Sequence, residues 1–457
     1  MIEAIVNSQK DFFKTGKTKT ITYRKQLLKQ LQSELINQED LIVKALYDDF
    51  KKPEFESVIT ETAIVLQDLK RTINNINKWA KPKRVFPSLL NFPSSDYLYS
   101  EPYGTVLIIA PWNYPYQLAL APLIGAVAAG NTVVLKPSEL TPNTSALLTK
   151  IIKNVFPPEF VIVVEGGVDT STKLLNQVWD YIFFTGSVSV GKIVAKAAAP
   201  NLTPITLELG GKNPCIIDKT ANIKLTVKRI VWGKFLNAGQ TCIAPDYILI
   251  DASIKNKFYE VLKDELITIY SKNPEKSSDF TRIINKKNFN RLSEMLTNEN
   301  CVIGGQTNAE DLYISPTIID EPSLNSKVME DEIFGPILPV ISFKNLNEIN
   351  NIINNYPKPL SLYVFSTNTT TQAKKLIKEF SFGGGCINDT VVHFANHKLP
   401  FGGVGNSGIG AYHGKYTFDT FSHKKAIVKK ANWLDIPLRY APYTGKLKKL
   451  KSLLKWL

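Results

Sequence analysis

The chain is poor in the residues that build disulfide frameworks and metal centres: its 457 residues include only four cysteines and four histidines. Cys215, Cys242, Cys301 and Cys386 are scattered, with no Cys-x-x-Cys pair and no histidine beside one. That spacing argues against both a disulfide scaffold and a zinc site, so no metal is expected. No Gly-x-Gly-x-x-Gly follows any of the strand-like runs, which removes the ordinary dinucleotide fingerprint. No apolar stretch approaches the roughly 20 residues that cross a bilayer. Met1-Ile-Glu-Ala lacks the basic and then apolar start of a secretion signal. These absences lead to the expectation of a cytoplasmic protein.

What is present in excess is positive charge, a net +14. The lysines are spread along the whole chain and no nucleic-acid motif accompanies them, so a solvated surface is expected and nucleic acid is not. The length is too great for one hydrophobic core and implies two or more domains. Apolar residues at three- and four-residue spacing predict helices from about Ser8 to Lys81. Prolines and aromatics from Pro82 to Pro102 suit an extended excursion. Short β-rich runs then alternate with helical stretches. They are Thr105–Ala110, Thr132–Leu135, Val161–Val164 and Tyr181–Phe184, with a helical stretch at Thr144–Val155. The alternation resumes with Asn213–Ile217, a helix over Ala221–Phe235 and Tyr247–Ile250. Such a pattern predicts an α/β protein with parallel strands covered by helices. Thr417 to Lys429 reads as a strand returning to the early excursion.

Two runs carry the chemistry. Cys242 sits in Phe235-Leu-Asn-Ala-Gly-Gln-Thr-Cys-Ile-Ala-Pro-Asp246, and Glu208 in Leu207-Glu-Leu-Gly-Gly-Lys-Asn-Pro214. A thiol nucleophile and a carboxylate base are the parts needed to make and then hydrolyse a thioester. Small residues around each let a ligand approach the backbone. Burial between leucines would raise the Glu208 pKa into a base's useful range. Cys215 reads as strand core, Cys301 as part of a polar exposed loop, and Cys386 as structural after a glycine-rich turn. Asn113, in Ala110-Pro-Trp-Asn-Tyr-Pro115, follows the first strand, where ligands of open sheets bind. Phe184-Thr-Gly-Ser-Val-Ser-Val-Gly-Lys192 joins a strand to a helix whose amino terminus, opened by Gly186 and Ser187, suits a pyrophosphate.

These runs together resemble the active site of the aldehyde dehydrogenases, and the resemblance covers almost the whole chain. It implies that Cys242 attacks an aldehyde, that Asn113 donates to the oxyanion and that Glu208 activates the hydrolytic water. It implies a pyrophosphate site around Ser187 and Trp112, with Gly186 and Gly191 in the same turn and helix. Lys136-Pro-Ser-Glu139 is similar to the family's adenosine-ribose site, where the Glu139 carboxylate favours NAD, though NADP is also admitted. Glu332-Ile-Phe-Gly-Pro336 resembles the segment that holds the nicotinamide ribose through Glu332, with Phe334 beside the ring. By composition alone the same run is a turn before a strand at Ile337–Ile341.

The glycine-dense string Leu399–Gly414 and the following Phe418–His423 resemble the class 3 and fatty-aldehyde branch. The branch implies a homodimer acting on medium- to long-chain aliphatic or aromatic aldehydes, with Tyr114 as a tunnel wall and His413 the histidine nearest the site. The implied organisation is a Rossmann-like coenzyme-binding domain (1–82 and 103–209), a second α/β catalytic domain (210–405) and a small oligomerisation β-extension (83–102 and 417–432). A basic amphipathic tail occupies 444–457, with leucines at 447, 450, 453, 454 and 457 on one face. Packing on protein, at the site mouth or on a partner subunit, ranks ahead of contact with an anionic membrane surface. Two rivals stand beside this reading. An acyl-transferring dehydrogenase would not need Glu208, and a non-catalytic scaffold would be expected to have lost Cys242 or Glu208.

Overall fold

A computed structural model describes residues 2–88, 91–369 and 371–455. Two parallel sheets organise it. The first has the strand order Gly408–Ile409, Ile205–Glu208, Tyr181–Thr185, Thr105–Ile109, Thr132–Lys136, Val161–Val163. All neighbours are parallel except the short Gly408–Ile409, which lies antiparallel to Ile205–Glu208. Thr105–Ile109, the first of the parallel strands in the chain, lies inside the sheet. The next two strands extend it to one side and the following two to the other. The order therefore reverses between Thr105–Ile109 and Tyr181–Thr185, and the loops after those strands flank a crevice.

Alternation of side chains explains why this sheet is buried on both faces. Val106, Ile108, Val133 and Phe183 pack with the helices Ile21–Asn37, Ala63–Ala80 and Gln117–Ala129. Leu107, Ile109, Val134 and Ile182 face the other way, toward Val6 and Val194. The helix Gln117–Ala129 is buried along its full length, as its unbroken apolar and small residues dictate.

The second sheet has the order Cys301–Ile303, Thr317–Asp320, Ile337–Phe343, Tyr247–Asp251, Pro214–Ile217, Ser361–Phe365, Gly384–Ile387. It is parallel apart from its first pair. A three-stranded antiparallel ribbon of Lys83–Val85, Ser94–Pro102 and Ser422–Lys430 stands apart from both.

Three expectations from the sequence need correction. The returning strand begins only at Ser422, because Lys415–Thr420 forms a helical turn. Its Thr417 packs so closely on Gly125 that a methyl there would overlap the threonine, and Phe418 is buried beside it in the core. Cys301 is not in an exposed loop: it opens an edge strand and packs half-buried against the second core. In the tail, Leu447–Leu454 is helical, but Leu447, Leu450, Leu453 and Leu454 are all exposed, so their face is not packed on this chain. Trp456 and Leu457 lie outside the described residues. Among the described residues no helix is long and apolar enough to cross a membrane.

Candidate active site

Five loops, three of them at carboxyl ends of strands, converge on one cavity of about 830 Å³. Its lining includes Trp112, Asn113 and Tyr114 after Thr105–Ile109; Gly186 and Ser187 after Tyr181–Thr185; Glu208 and Gly210 at the end of Ile205–Glu208; and Cys242. Glu332 and Phe334, from the loop before Ile337–Phe343, close it from the second sheet. The crevice of strand-order reversal and the cavity are thus the same place.

Cys242 is held by a loop of unusual backbone. Asn237 and Ala238 adopt left-handed conformations, φ 54 and φ 52, which non-glycine residues keep only where their surroundings over-determine them. Gly239 shares that region, φ 73, and a methyl there would overlap the Gly335 carbonyl. Asn237 Nδ2 donates to the carbonyl oxygens of Asn113, at 2.9 Å, and Gln240, at 3.1 Å. Asn213 Nδ2 donates to the carbonyls of Cys242, at 2.7 Å, and Ala244, at 3.0 Å. Gln240 Nε2 donates to the Arg282 carbonyl and its Oε1 accepts from Ile284 N–H, both at 3.0 Å. The sulfur is therefore presented by a segment tied down on several sides. Burial, together with the Glu332 and Glu208 carboxylates, pushes the Cys242 thiol up.

Glu208 is 3% exposed, and neither carboxylate oxygen has a hydrogen-bond partner among the described residues. Burial alone pushes its pKa well above the carboxylate range. An unsatisfied buried carboxyl is costly and marks a site where something else must be met. Asn113, 3% exposed, donates through Nδ2 to the Gln240 carbonyl at 3.0 Å. Tyr114 lines the cavity and its hydroxyl lies 2.6 Å from Thr241 Oγ1, next to Cys242.

A dinucleotide fits the residues on the other part of the lining. Ser187 caps Val188–Ala198, accepting from Val190 N–H, and the first-turn N–H groups of that helix have no partner within it. Trp112 and Phe334 meet edge to face, 5.3 Å between centroids. Phe334 holds a left-handed φ of 51. Glu332 lies against Gly210 so closely that a methyl there would overlap its carboxylate. Burial and Asp246 push Glu332 up to about 8. Gly191 lies one turn into the helix, outside the lining, and lets the helix approach the Leu209 side chain. Lys136 and Glu139 also lie outside it: they pair at 2.6 Å at the carboxyl end of Thr132–Lys136, beside the Thr105–Ile109 strand. The ion pair holds Glu139 below the usual carboxylate range against the effect of burial.

His413 does not line the cavity. It is 1% exposed, 4.3 Å between centroids from Phe394 and 5.6 Å from Phe401, and those two rings form the wall. Burial drives its imidazole down to about 4, so it is neutral near pH 7. Cys215 is fully buried, and Cys386 sits in the edge strand with its sulfur 3.6 Å from His393 Nδ1. Trp232, Val391, Val392 and Phe394 also line the cavity without a motif that marks them, while Phe401 and Tyr412 fall in the glycine-dense string Leu399–Gly414. The density of aromatic and apolar residues just after residue 390 was the only sign of Val391, Val392 and Phe394.

The aldehyde dehydrogenase family model matches residues 1–427. The chain belongs to the aldehyde dehydrogenase family. It is 47% identical to the 4,4'-diaponeurosporen-aldehyde dehydrogenase of Staphylococcus aureus over 457 residues, 100% of this chain and 99% of that one. It is 45% identical to aldehyde dehydrogenase family 3 member H1 of Arabidopsis thaliana, over 98% of this chain and 94% of the relative. The solved structure described as the substrate-bound state of Staphylococcus aureus AldH superposes with a TM-score of 0.97 at 47% identity, covering 99% of both chains. This aldehyde dehydrogenase falls in the class 3 branch and is an NAD(P)-dependent oxidoreductase acting on aldehydes.

Proposed function

We propose that this enzyme oxidises medium- to long-chain aliphatic or aromatic aldehydes to carboxylic acids, with Cys242 as nucleophile, Asn113 as oxyanion donor and Glu208 as base. One observation carries the assignment. A partly open thiol, a side-chain amide and an unpartnered buried carboxyl line the same cavity. The Cys242 thiol gives up its proton to solvent and adds as the thiolate to the aldehyde carbon, and the charge that develops on oxygen meets the Asn113 amide and the Cys242 backbone N–H. Bound NAD(P) supplies the hydride acceptor that turns this adduct into a thioester. Glu208 then takes a proton from water, whose attack releases the acid and the thiol. The residues that would hold the cofactor are Trp112, Gly186 and Ser187 for the pyrophosphate, with Gly191 allowing the helix its close packing. Lys136 and Glu139 would meet the adenosine ribose, and Glu332 and Phe334 the nicotinamide side.

The substrate class rests on the rest of the lining. Ile59, Trp232 and Val392 belong to the cavity yet are 44%, 39% and 41% exposed, so part of the mouth is apolar. Tyr114, Leu118, Phe394 and Phe401 continue that lining inside. Each methylene buried there contributes about 0.8 kcal/mol. The S. aureus relative is named for an aldehyde, 4,4'-diaponeurosporen-aldehyde, which fits the same reading.

A homodimer and a peripheral membrane contact complete the proposal. One relative, from Mus musculus, is described as dimeric and NADP-preferring, at 43% identity. The ribbon ends on the edge strand Ser422–Lys430, whose Ile427 and Val428 are exposed, and an uncovered edge is a template for another chain. The exposed leucines and adjacent lysines of Leu447–Leu454 suit an anionic lipid surface.

The test is reduced-nicotinamide formation with NAD or NADP and straight-chain aldehydes of rising length, with the acid product quantified. Activity rising by roughly fourfold per methylene until the cavity is filled supports the substrate class. Equal activity across the series refutes that class. Loss of turnover in Cys242→Ala supports the residue assignment, and retained turnover refutes it.

A further inference from the structure

Beneath the active-site loops lies a second cluster of charge that the reaction does not use. Lys52, Glu56 and Glu61 come from the N-terminal helical segment, far in sequence from the loops they touch. Lys52 Nζ and Glu61 Oε1 pair at 2.6 Å with both side chains 0% exposed. Lys52 Nζ also stands 4.1 Å from the centroid of the Tyr114 ring. The other oxygen of Glu61 accepts N–H from Tyr116 at 2.9 Å and Gln117 at 3.1 Å, fixing the chain just after Asn113. Glu56 Oε2 accepts Asn237 N–H at 2.9 Å and the Thr281 hydroxyl at 3.4 Å. Asn237 in turn donates to the Asn113 and Gln240 carbonyls.

A buried ion pair of this kind adds little net stability, because desolvation offsets the attraction. Burial pushes Glu56 up to about 7 against the pull of Lys52, and pushes Lys52 down against the pull of Glu61 and Glu56. What Glu56 and Glu61 do supply, with Lys52 donating to Glu61, is fixed acceptors for backbone N–H groups on two separate loops. The local backbone is shaped for it. Residues five apart in an α-helix diverge around the axis, whereas the wider π-turn at Val58–Thr62 brings Glu61 back toward the side of Glu56.

We propose that Lys52, Glu56 and Glu61 are positioning residues that hold the Asn113 loop and the Cys242 loop in register, so that the oxyanion donor and the nucleophile meet one carbonyl. The inference rests on the assignment of Cys242 and Asn113 above.

Variants of the full-length enzyme test it. Glu56→Ala removes the acceptor for Asn237 N–H. Lys52→Met combined with Glu61→Met removes the ion pair together with the acceptor for Tyr116 and Gln117 N–H, without leaving either partner's charge unpaired. Each is expected to lower kcat for hexanal oxidation by roughly 100-fold, with KM for NAD and the rate of Cys242 alkylation by iodoacetamide within about threefold of wild type. Glu56→Gln keeps an oxygen for Asn237 N–H and is expected to recover most of the activity. A folded variant with kcat within about threefold of wild type overturns the proposal. So does a parallel fall of kcat and alkylation, or failure of Glu56→Gln to recover activity, since either would make the cluster merely structural. Should Glu56→Ala not fold, the double variant decides; failure of both to fold also counts against a positioning role. An inactive wild-type enzyme would instead refute the assignment of Cys242 and Asn113.

Discussion

The Asn113 amide donates its 3.0 Å hydrogen bond to the carbonyl of Gln240, two residues before Cys242. A primary amide has two N–H groups, so this bond orients the side chain and leaves the second donor for a charge developing near the sulfur. Asn113→Ala is expected to lower kcat by roughly 10²- to 10³-fold, the usual cost of one oxyanion donor. Cys242 alkylation by iodoacetamide should persist, because that reaction forms no oxyanion. Retained turnover in steady-state assays would remove Asn113 from the mechanism.

Among the described residues Glu208 has no hydrogen-bond partner for either oxygen, and burial pushes its pKa well up. In Glu208→Gln, rapid mixing with NAD and hexanal should give a burst of reduced cofactor close to one per site, and then almost none. The same raised pKa sets the pH dependence. The carboxyl is protonated, and so unable to accept a proton, below its folded pKa. Where hydrolysis limits turnover, wild-type kcat should therefore rise with pH at values well above the ordinary carboxylate range. A variant without a burst, or a flat wild-type profile, would contradict the role.

Glu332 titrates at about 8 in the folded chain, raised by burial and by Asp246. The unfolded carboxyl ionises near pH 4.5, its ordinary value. Between those values the native state holds a proton that the unfolded state has released, so stability falls as pH rises. Glu332→Gln lacks this dependence. The melting temperature of the variant minus that of wild type should grow from pH 5 to pH 8 without cofactor. A constant difference would contradict the burial of Glu332 as an acid.

The exposed leucines of Leu447–Leu454 predict a separable function for the tail. Deleting residues 445–457 should abolish co-sedimentation with phosphatidylglycerol vesicles and leave hexanal turnover in solution unchanged. Binding should weaken with added salt, as screened lysines require. Vesicle binding by the deleted form would place the contact elsewhere.

Much of the site was legible because its parts are local. Glu208 ends a strand and is followed by Gly210 and Gly211; Ser187 caps the helix directly after a strand; Asn113 lies in the loop after the first strand of the sheet. Each pattern is carried by neighbouring residues, so the chain records it. His413 shows the limit. Its neighbours in sequence match a glycine-dense loop near the site, but a left-handed φ of 103 goes with burial behind Phe394 and Phe401 instead of exposure in the lining. The helical turn at Lys415–Thr420 was hidden for a similar reason. β-branched and aromatic residues suggest a strand, whereas Thr417 and Phe418 settle into the core beside the buried helix Gln117–Ala129.

By itself the sequence determined the α/β alternation, the runs around Cys242 and Glu208 that meet at the cavity, and the capped helix that suits a pyrophosphate. Those follow from periodicity and from side chains acting within a few residues. Only the tertiary structure decided what lies under and around them. Glu56 carries no motif that marks it, yet it accepts Asn237 N–H from 181 positions away. Lys52 is likewise unmarked, yet it is fully buried against Glu61 and the Tyr114 ring. Contacts of that span depend on how two sheets and a layer of helices pack together, and no local pattern encodes the register in which they meet.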